Sequence, residues 1–516
     1  MSEKKRVIVL EELAPEGIER LRGEGLEVED GSGWDAGELL RRMSGCHGLI
    51  AGTARAVSAE LLRAAGDLQV VGRTGSSVDG IDVAEATRRG VIVVDTPKSN
   101  AISAAEQALA LVLVCARDLA VAHADLRAGT WAPGKWAQSS VEVRGRMLGI
   151  VGHGQVVELL TEGALAMGMN VPDDPGRIYA EADFIVVDLP EAGAEATQGL
   201  VGEREFAQMK DGVRVVSLAP AGVVDPAAWV RAIESGKVAA SALAVRQSDL
   251  TDGGPLVARE DVLLVPCLEE STVDARSRAA LMIAEQVAAV LRGEFASNAV
   301  NVPLTLVDDA AELMPYLGLC AQLGRLAVGL GGGAVKELEI AYGGSFAYFD
   351  TRILTLGVLE GVLAGQGEGP VNYVNAASLA EARGLTATET TQSVLPDFPR
   401  LITVSATGSR GPVTVSGTSL GPEHKSRLVH VFGEDIDIDP APHMLFLRYV
   451  DAPGVGGAVG TMLGEWGVNI GHMSVGRGTS EREAVMALTL DEPLDETQLD
   501  QLVERCGLSF GAGVEL

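Results

Sequence analysis

The chain has 516 residues, 47% hydrophobic but only 4% aromatic, and a formal net charge of −30. That length supports several domains around a large buried core, and the acidic balance excludes the basic footprint that nucleic-acid binding requires. No apolar run reaches membrane-spanning length without a charge, and the five cysteines, lacking CxxC spacing, predict reduced thiols in a cytoplasmic protein with no metal site.

Met1 to Arg6 leads straight into the strand Val7 to Leu10, so no signal peptide is expected ahead of it. Strands at Gly48 to Ala51, Leu68 to Gly72 and Val91 to Val94 alternate with helices at Pro15 to Gly25, Ser58 to Ala65 and Val83 to Arg89. Strands joined by helical crossovers predict a parallel, doubly wound sheet. Ser99 to Leu126 reads as a long helix in two parts. A second α/β unit follows, with strands at Met147 to Val151, Phe184 to Asp188, Val213 to Ser217, Ala240 to Val245 and Val262 to Pro266. The helix Ser277 to Arg292 and an exit segment at Asn298 to Val302 close this half. From about 304 the pattern becomes α+β, with a helix at Leu313 to Leu330, the turn Gly331-Gly332-Gly333, and strands at Val335 to Tyr342, Leu401 to Thr407 and Pro412 to Gly417. The last 75 or so residues read β-α-β-β-α-β.

The most telling stretch is Val151-Gly152-His153-Gly154-Gln155-Val156-Val157. It follows a strand and opens a helix, where a dinucleotide-binding loop belongs: Gly152 for the tight turn and Gly154 for close approach to a pyrophosphate. The third glycine is replaced by Val157. Asp174 follows Gly152 at roughly the 20-residue spacing of a ribose-binding carboxylate. The alternative for the glycines is a purely structural turn, and for Asp174 a solvent-facing loop acid.

Several further segments carry a family resemblance. Arg73-Thr74-Gly75-Ser76-Ser77-Val78-Asp79-Gly80-Ile81-Asp82, Ser99 to Glu106, Gly149 to Gly152, Val223-Val224-Asp225, Val371 to Leu385, and Tyr449 to Gly454 with Gly467-Val468-Asn469-Ile470 are similar to motifs of the D-3-phosphoglycerate dehydrogenase family, in the long form with an intervening domain and a C-terminal ACT domain. The resemblance implies an α/β protein with two doubly wound parallel-sheet domains, flavodoxin-like (4–99 and 275–303) and Rossmann-type (100–274), an α+β intervening domain (304–441) and a ferredoxin-like ACT domain (442–516). It implies NAD as cofactor at Gly152, Gly154, Gln155, Val156 and Asp174. A small phosphorylated, 2-hydroxy or amino acid is implied near Thr53, Arg55, Arg73, Gly75, Ser99, Asn100 and Lys135, and serine as effector at Tyr449, Asp451 and Asn469. A homodimer through the nucleotide domain's long helices, or a homotetramer through the ACT domains, is implied as well.

The family transfers hydride with a histidine–carboxylate pair moving the hydroxyl proton and an arginine holding the substrate. At the matching positions this sequence has Pro220 for the arginine, Cys267 for the histidine and Asp249 for the glutamate. Glu269 and Glu270 replace small residues, Ala244 replaces the nicotinamide-facing aspartate, and Gly52 replaces a phosphate-binding arginine for which Arg55 is a nearby substitute. Between Asp174 and Phe184 a unit of roughly 15 to 20 residues is missing. Cys267 reads as an inert small residue or, with a positive neighbour, as a nucleophile. In the intervening domain the resemblance implies an anion site of basic residues, but the run Glu434 to Asp439 is acidic and Arg427 alone is positioned to help, so that anion site is expected to be absent. The set predicts a protein that keeps the scaffold without ordinary dehydrogenation. The alternatives are a working NAD-dependent enzyme of serine biosynthesis, or different chemistry on the same scaffold in specialised metabolism.

Overall fold

Four sheets organise the chain, and the first two set the site between them. The computed structural model describes residues 4–52, 55–75, 77–172, 174–189, 197–246, 254–294, 296–302, 312–367, 371–393, 397–421, 424–477 and 483–516. The first sheet contains β1 (Arg6–Val9), β2 (Glu27–Asp30), β3 (Gly48–Ala51), β4 (Val70–Arg73) and β5 (Ile92–Val94) in the order β2-β1-β3-β4-β5, all parallel. Its two faces follow the period of two. Val7, Val9, Ile50, Val70 and Ile92 point into one core, and Ile8, Leu49, Val71 and Val93 into another. The helix Val273–Leu291 returns from the second unit and covers the first of these faces. Gly17 lets the helix Pro15–Gly23 approach it, since a Cβ there would lie 2.6 Å from the Ala280 carbonyl oxygen.

The second sheet contains β6 (Leu148–Gly152), β7 (Phe184–Asp188), β8 (Val213–Ser217), β9 (Val238–Val245) and β10 (Val262–Pro266), parallel and in sequential order. Helices cover both faces: Ala101–Arg117 and Gln155–Ala166 on one, Glu203–Gln208 and Pro226–Glu234 on the other. The expected two-part helix breaks at Asp118, which adopts a left-handed φ of 46° before Leu119–Arg127 begins. Among the described residues the sheet does not continue beyond β6 as a strand: the isolated parallel bridge Met147–Asn170 lies on that side, and the short helix Pro175–Glu181 precedes β7.

The third sheet contains β11 (Glu337–Gly344), β12 (Thr386–Gln392), β13 (Arg400–Gly408), β14 (Gly411–Leu420), β15 (Lys425–Val431) and β16 (Glu434–Ile438), in the order β12-β11-β13-β14-β15-β16. The helices Leu317–Gly331 and Arg352–Gly365 pack against each other closely enough that a Cβ on Gly361 would meet the Ala321 carbonyl oxygen at 1.9 Å. The fourth sheet, β17 (His443–Val450), β18 (Ile470–Arg477), β19 (Glu483–Leu490) and β20 (Phe510–Glu515), is antiparallel in the order β18-β19-β17-β20. With the helices Val455–Glu465 and Glu496–Cys506 it makes the ferredoxin-like β-α-β-β-α-β unit. Met444, Phe446, Ala512 and Val514 on its other face join one apolar core that runs through the intervening region to the first sheet.

β2, β12, β15 and β16 are absent from the sequence expectations. The segments of β2, β12 and β16, EVED, TATETTQ and EDIDI, are polar strands at sheet edges, where one side faces water and the apolar signal is weak, and β15 (KSRLVHV) lies inside the sheet beside β16. Among the described residues no helix is long and apolar enough to cross a membrane.

Candidate functional site

The loop after β6 has the shape expected of a nucleotide loop but different surroundings. Gly154 has a φ of 89° and caps the helix Gln155–Ala166, with Gln155 exposed and Val156 half-buried against the sheet. Gly152 is fixed by packing. A Cβ there would lie 2.0 Å from the carbonyl oxygen of Asp188, the last residue of β7. Asp174 does not end a strand. It caps Pro175–Glu181, accepting the Gly176 N–H at 2.9 Å. At this end of the sheet stand two carboxylates, Asp188 and Glu269, with exposed His153 near Asp188. One Glu269 oxygen is out of solvent contact with no hydrogen-bond partner.

Burial, reinforced by the negative charge of Glu269 and opposed by His153, raises the Asp188 pKa from 3.8 to about 6. The folded chain therefore binds more protons than the unfolded one between about pH 4 and 6. Stability from this group is greatest at the acidic end and is lost as pH rises through that window. Asp188→Asn is expected to stabilise the protein by about 2 kcal/mol at pH 8, with the gain vanishing near pH 4. Denaturant unfolding of both proteins at the two pH values checks this; an equal difference at both would refute it.

Three positions to which the resemblance assigns substrate, proton-transfer or nicotinamide roles fall toward the C-terminal ends of three adjacent strands, where open α/β sheets bind ligands. Pro220 follows β8, Ala244 lies in β9, and Cys267 follows β10. Pro220 and Ala244 line an apolar pocket of about 140 Å³ with Trp229, Leu243 and Leu256. Cys267 is half-buried against the sheet, and its N–H donates to the Val245 carbonyl at 3.1 Å. Asp249 and Thr53 lie outside the described residues. Among those described, no group of His, Cys, Asp and Glu is placed to hold a metal ion.

A cleft of about 390 Å³ opens between the first two sheets, lined in part by Glu11, Thr74, Gly75, Ser99, Glu270 and Arg276. Of the residues expected around a substrate, Gly75, Ser99 and Asn100 are on its wall. The three cations are not. Arg73 is fully buried, its guanidinium donating to the carbonyls of Gly52 and, at 2.9 Å, Asp79. Arg55 donates to the carbonyls of Ser32 and Trp34, both at 2.9 Å. Lys135 pairs with Asp125 at 3.0 Å, beside Trp136, on the helices preceding β6. These contacts engage all three side chains with partners inside the chain, and none of the three lines this cleft.

Glu11, Arg276 and Asp188 escaped the sequence reading. Glu11 lies two residues past β1 and Asp188 ends β7, so position at the C-terminal end of a parallel strand is the signal that could have found them. The Glu11 carboxylate fills the space of a side chain at Gly52, where a Cβ would lie 2.1 Å from Oε2. It accepts the Thr74 hydroxyl at 2.6 Å, and burial raises its pKa against the opposing pull of that bond and of Arg73.

In the ferredoxin-like unit Tyr449 is buried on β17, Asp451 pairs with Arg477 at 3.2 Å, and Asn469 donates to Asp491 at 3.0 Å. Asp451 and Asn469 thus face different partners. In the intervening sheet Arg427 is engaged by Asp437 and Asp439, which neutralises the basic residue singled out for an anion.

Comparison with known proteins agrees with this architecture. Residues 7–301 match the catalytic domain of D-isomer specific 2-hydroxyacid dehydrogenases, and residues 312–432 match the D-3-phosphoglycerate dehydrogenase intervening domain. The D-3-phosphoglycerate dehydrogenase of Archaeoglobus fulgidus is 32% identical over 99% of this chain and 100% of its own. That of Mycobacterium leprae is 36% identical over 94% of each. Among solved structures, a D-isomer specific 2-hydroxyacid dehydrogenase of Polaromonas shares the fold of 58% of this chain, over 100% of its own length, with a TM-score of 0.50 at 19% identity. The chain belongs to the D-isomer specific 2-hydroxyacid dehydrogenase family, in the long form built like D-3-phosphoglycerate dehydrogenase.

Proposed function

We propose that this chain keeps the D-3-phosphoglycerate dehydrogenase scaffold but has given up NAD-dependent oxidation of 3-phosphoglycerate, serving as a ligand-binding protein with an ACT-type amino-acid sensor at its C-terminal end. The observation that carries the reading is the edge position of β6. A dinucleotide lies in the crevice where strand order reverses, between the first strand and those on either side of it. Here the described residues on the far side offer one bridging residue, Asn170, in place of strands, so none of them walls the adenosine half, and Asp174 is spent on a helix cap. The pyrophosphate would meet the carboxylates of Asp188 and Glu269, with no described arginine or lysine paired to either to offset them. These residues do not fit NAD. Pro220 cannot supply a guanidinium, and Cys267 stands where a proton-transferring imidazole is needed.

Likeness over nearly the full length to enzymes named D-3-phosphoglycerate dehydrogenase favours a second reading, an active enzyme with a reorganised site. Titration with NADH, beside an assay of NADH formation from 3-phosphoglycerate, separates the two. The first reading gives no signal in either. The protein is further proposed to be cytoplasmic and to pair with a second copy through Leu119, Val121 and Leu126, which expose apolar side chains on the helix preceding β6.

A further inference from the structure

We propose that the ferredoxin-like unit binds a small aliphatic amino acid in a pocket beside the first turn of its second helix, with Arg410 of the intervening unit holding the carboxylate and His443 and Glu515 the ammonium group. The inference rests on the reading above that this unit senses an amino acid, and it names the site.

The pocket has a volume of about 230 Å³, room for a ligand well below drug size. Its shape follows from strand register. His443 opens β17 between its register partners, Leu490 of β19 and Glu515 of β20. Directly opposed residues of antiparallel strands put their side chains on one face. That face is the one the two helices cover, since Leu445, Leu488 and Leu490 belong to their shared core. Gly513, opposite Leu445 on the same face, contributes no side chain, and a Cβ there would meet nothing within 4 Å. The hole in the packing lies at this glycine. Glu496 and Leu499, in the first turn of the helix Glu496–Cys506, border the pocket. Arg410 reaches it from the turn between β13 and β14.

Two observations point to a ligand. One is an orphaned ring nitrogen: Nδ1 of His443 is out of solvent contact with no hydrogen-bond partner, a costly state that a bound group would relieve. The other is a guanidinium without a counter-ion. Among the described residues Arg410 pairs with no carboxylate and lies over the Phe510 ring at 5.9 Å, although Glu496 and Glu515 line the same pocket. Charges of opposite sign that share a pocket without pairing suit a zwitterion. A guanidinium fork matches a carboxylate, and an imidazole nitrogen beside a carboxylate accepts the N–H donors of an ammonium group. The aliphatic side chain would fill the space at Gly513 against Leu445, Leu490 and Leu499. The effector positions implied by resemblance do not compete, because Asp451 is taken up by Arg477 and Asn469 by Asp491.

The test is calorimetric titration of the full chain with L-alanine, L-valine and L-leucine. Each is run beside the analogue without its amino group and the analogue without its carboxyl group (3-methylbutanoate and 2-methylpropan-1-amine for valine). The expected result is saturable binding of at least one amino acid, with both of its analogues weaker by about tenfold or more. Gly513→Leu places a side chain in the hole and should abolish saturation. Arg410→Gln and His443→Phe should each weaken binding by about tenfold or more, with an unchanged unfolding midpoint. Arg410 is exposed, so its variant keeps the test where Gly513→Leu folds poorly. An analogue lacking either charge that binds as tightly as its amino acid would overturn the proposal. Amino-acid binding untouched by Gly513→Leu and Arg410→Gln would overturn this site and leave the sensor reading standing. No saturation with any of the three amino acids would overturn both.

Discussion

A variant carrying Pro220→Arg, Ala244→Asp, Cys267→His, Glu269→Gly and Glu270→Ala is expected to form NADH from 3-phosphoglycerate no faster than the unaltered chain. In a working enzyme a positioned acid–base group or charge-stabilising donor is worth roughly a hundred- to ten-thousandfold each. Those factors act only on a cofactor held within reach of the substrate. Restoring the side chains rebuilds neither the strands missing beyond β6 nor the phosphate-binding arginine, whose place at Gly52 is filled by Glu11. Ala244 is also nearly closed to solvent at 2% exposure, so an aspartate there would displace its neighbours. Multiple-turnover absorbance at saturating NAD is the measurement. Turnover near the ordinary enzymatic range of about 1 per second or more would mean that side chains alone were lost and that the crevice still works.

Gly152→Ala is expected to destabilise the protein by about 3 kcal/mol, with no compensating effect on any nucleotide. The added methyl would stand 2.0 Å from the Asp188 carbonyl oxygen. The oxygen is backbone and the methyl would be fixed directly to backbone, in paired strands, since Gly152 and Asp188 are register partners of β6 and β7. Relief requires the end of the edge strand to leave the sheet. Gly154→Ala meets nothing within 4 Å and bears only the strain of a φ of 89°, about 1 kcal/mol. Chemical denaturation should therefore rank the two in that order. A Gly152→Ala protein with the unaltered midpoint would show that this glycine is not a packing contact.

Much of the fold was legible because it is written in local pattern. Alternating Val/Ile/Leu runs and intervening helices predict the parallel sheets, and the ferredoxin-like order at the C-terminal end follows from strand and helix spacing. Polar edge strands such as Glu27–Asp30 carry no such signal. The gap after Asp174 was visible as missing length. That it leaves β6 with only a one-residue bridge beyond it is a pairing fact, and pairing is nonlocal. At Pro220 and Cys267 the resemblance alone assigns the roles, and the residue types present, not the geometry, are what raise the question of lost chemistry. The candidate site was not legible where roles depend on tertiary partners. Arg73 looks like an anion ligand until the carbonyls of Gly52 and Asp79 are placed around it, and Lys135 until Asp125 is placed beside it. Glu11 belongs to no motif and acquires meaning only through the loop opposite.

On the proposed function the crevice at the end of β6 no longer receives a dinucleotide. Equilibrium titration of NADH, followed by the change in its nicotinamide fluorescence, tests it most directly. The expected signal grows only as free NADH does, at every concentration up to millimolar. A saturable change with a dissociation constant in the micromolar range would contradict it.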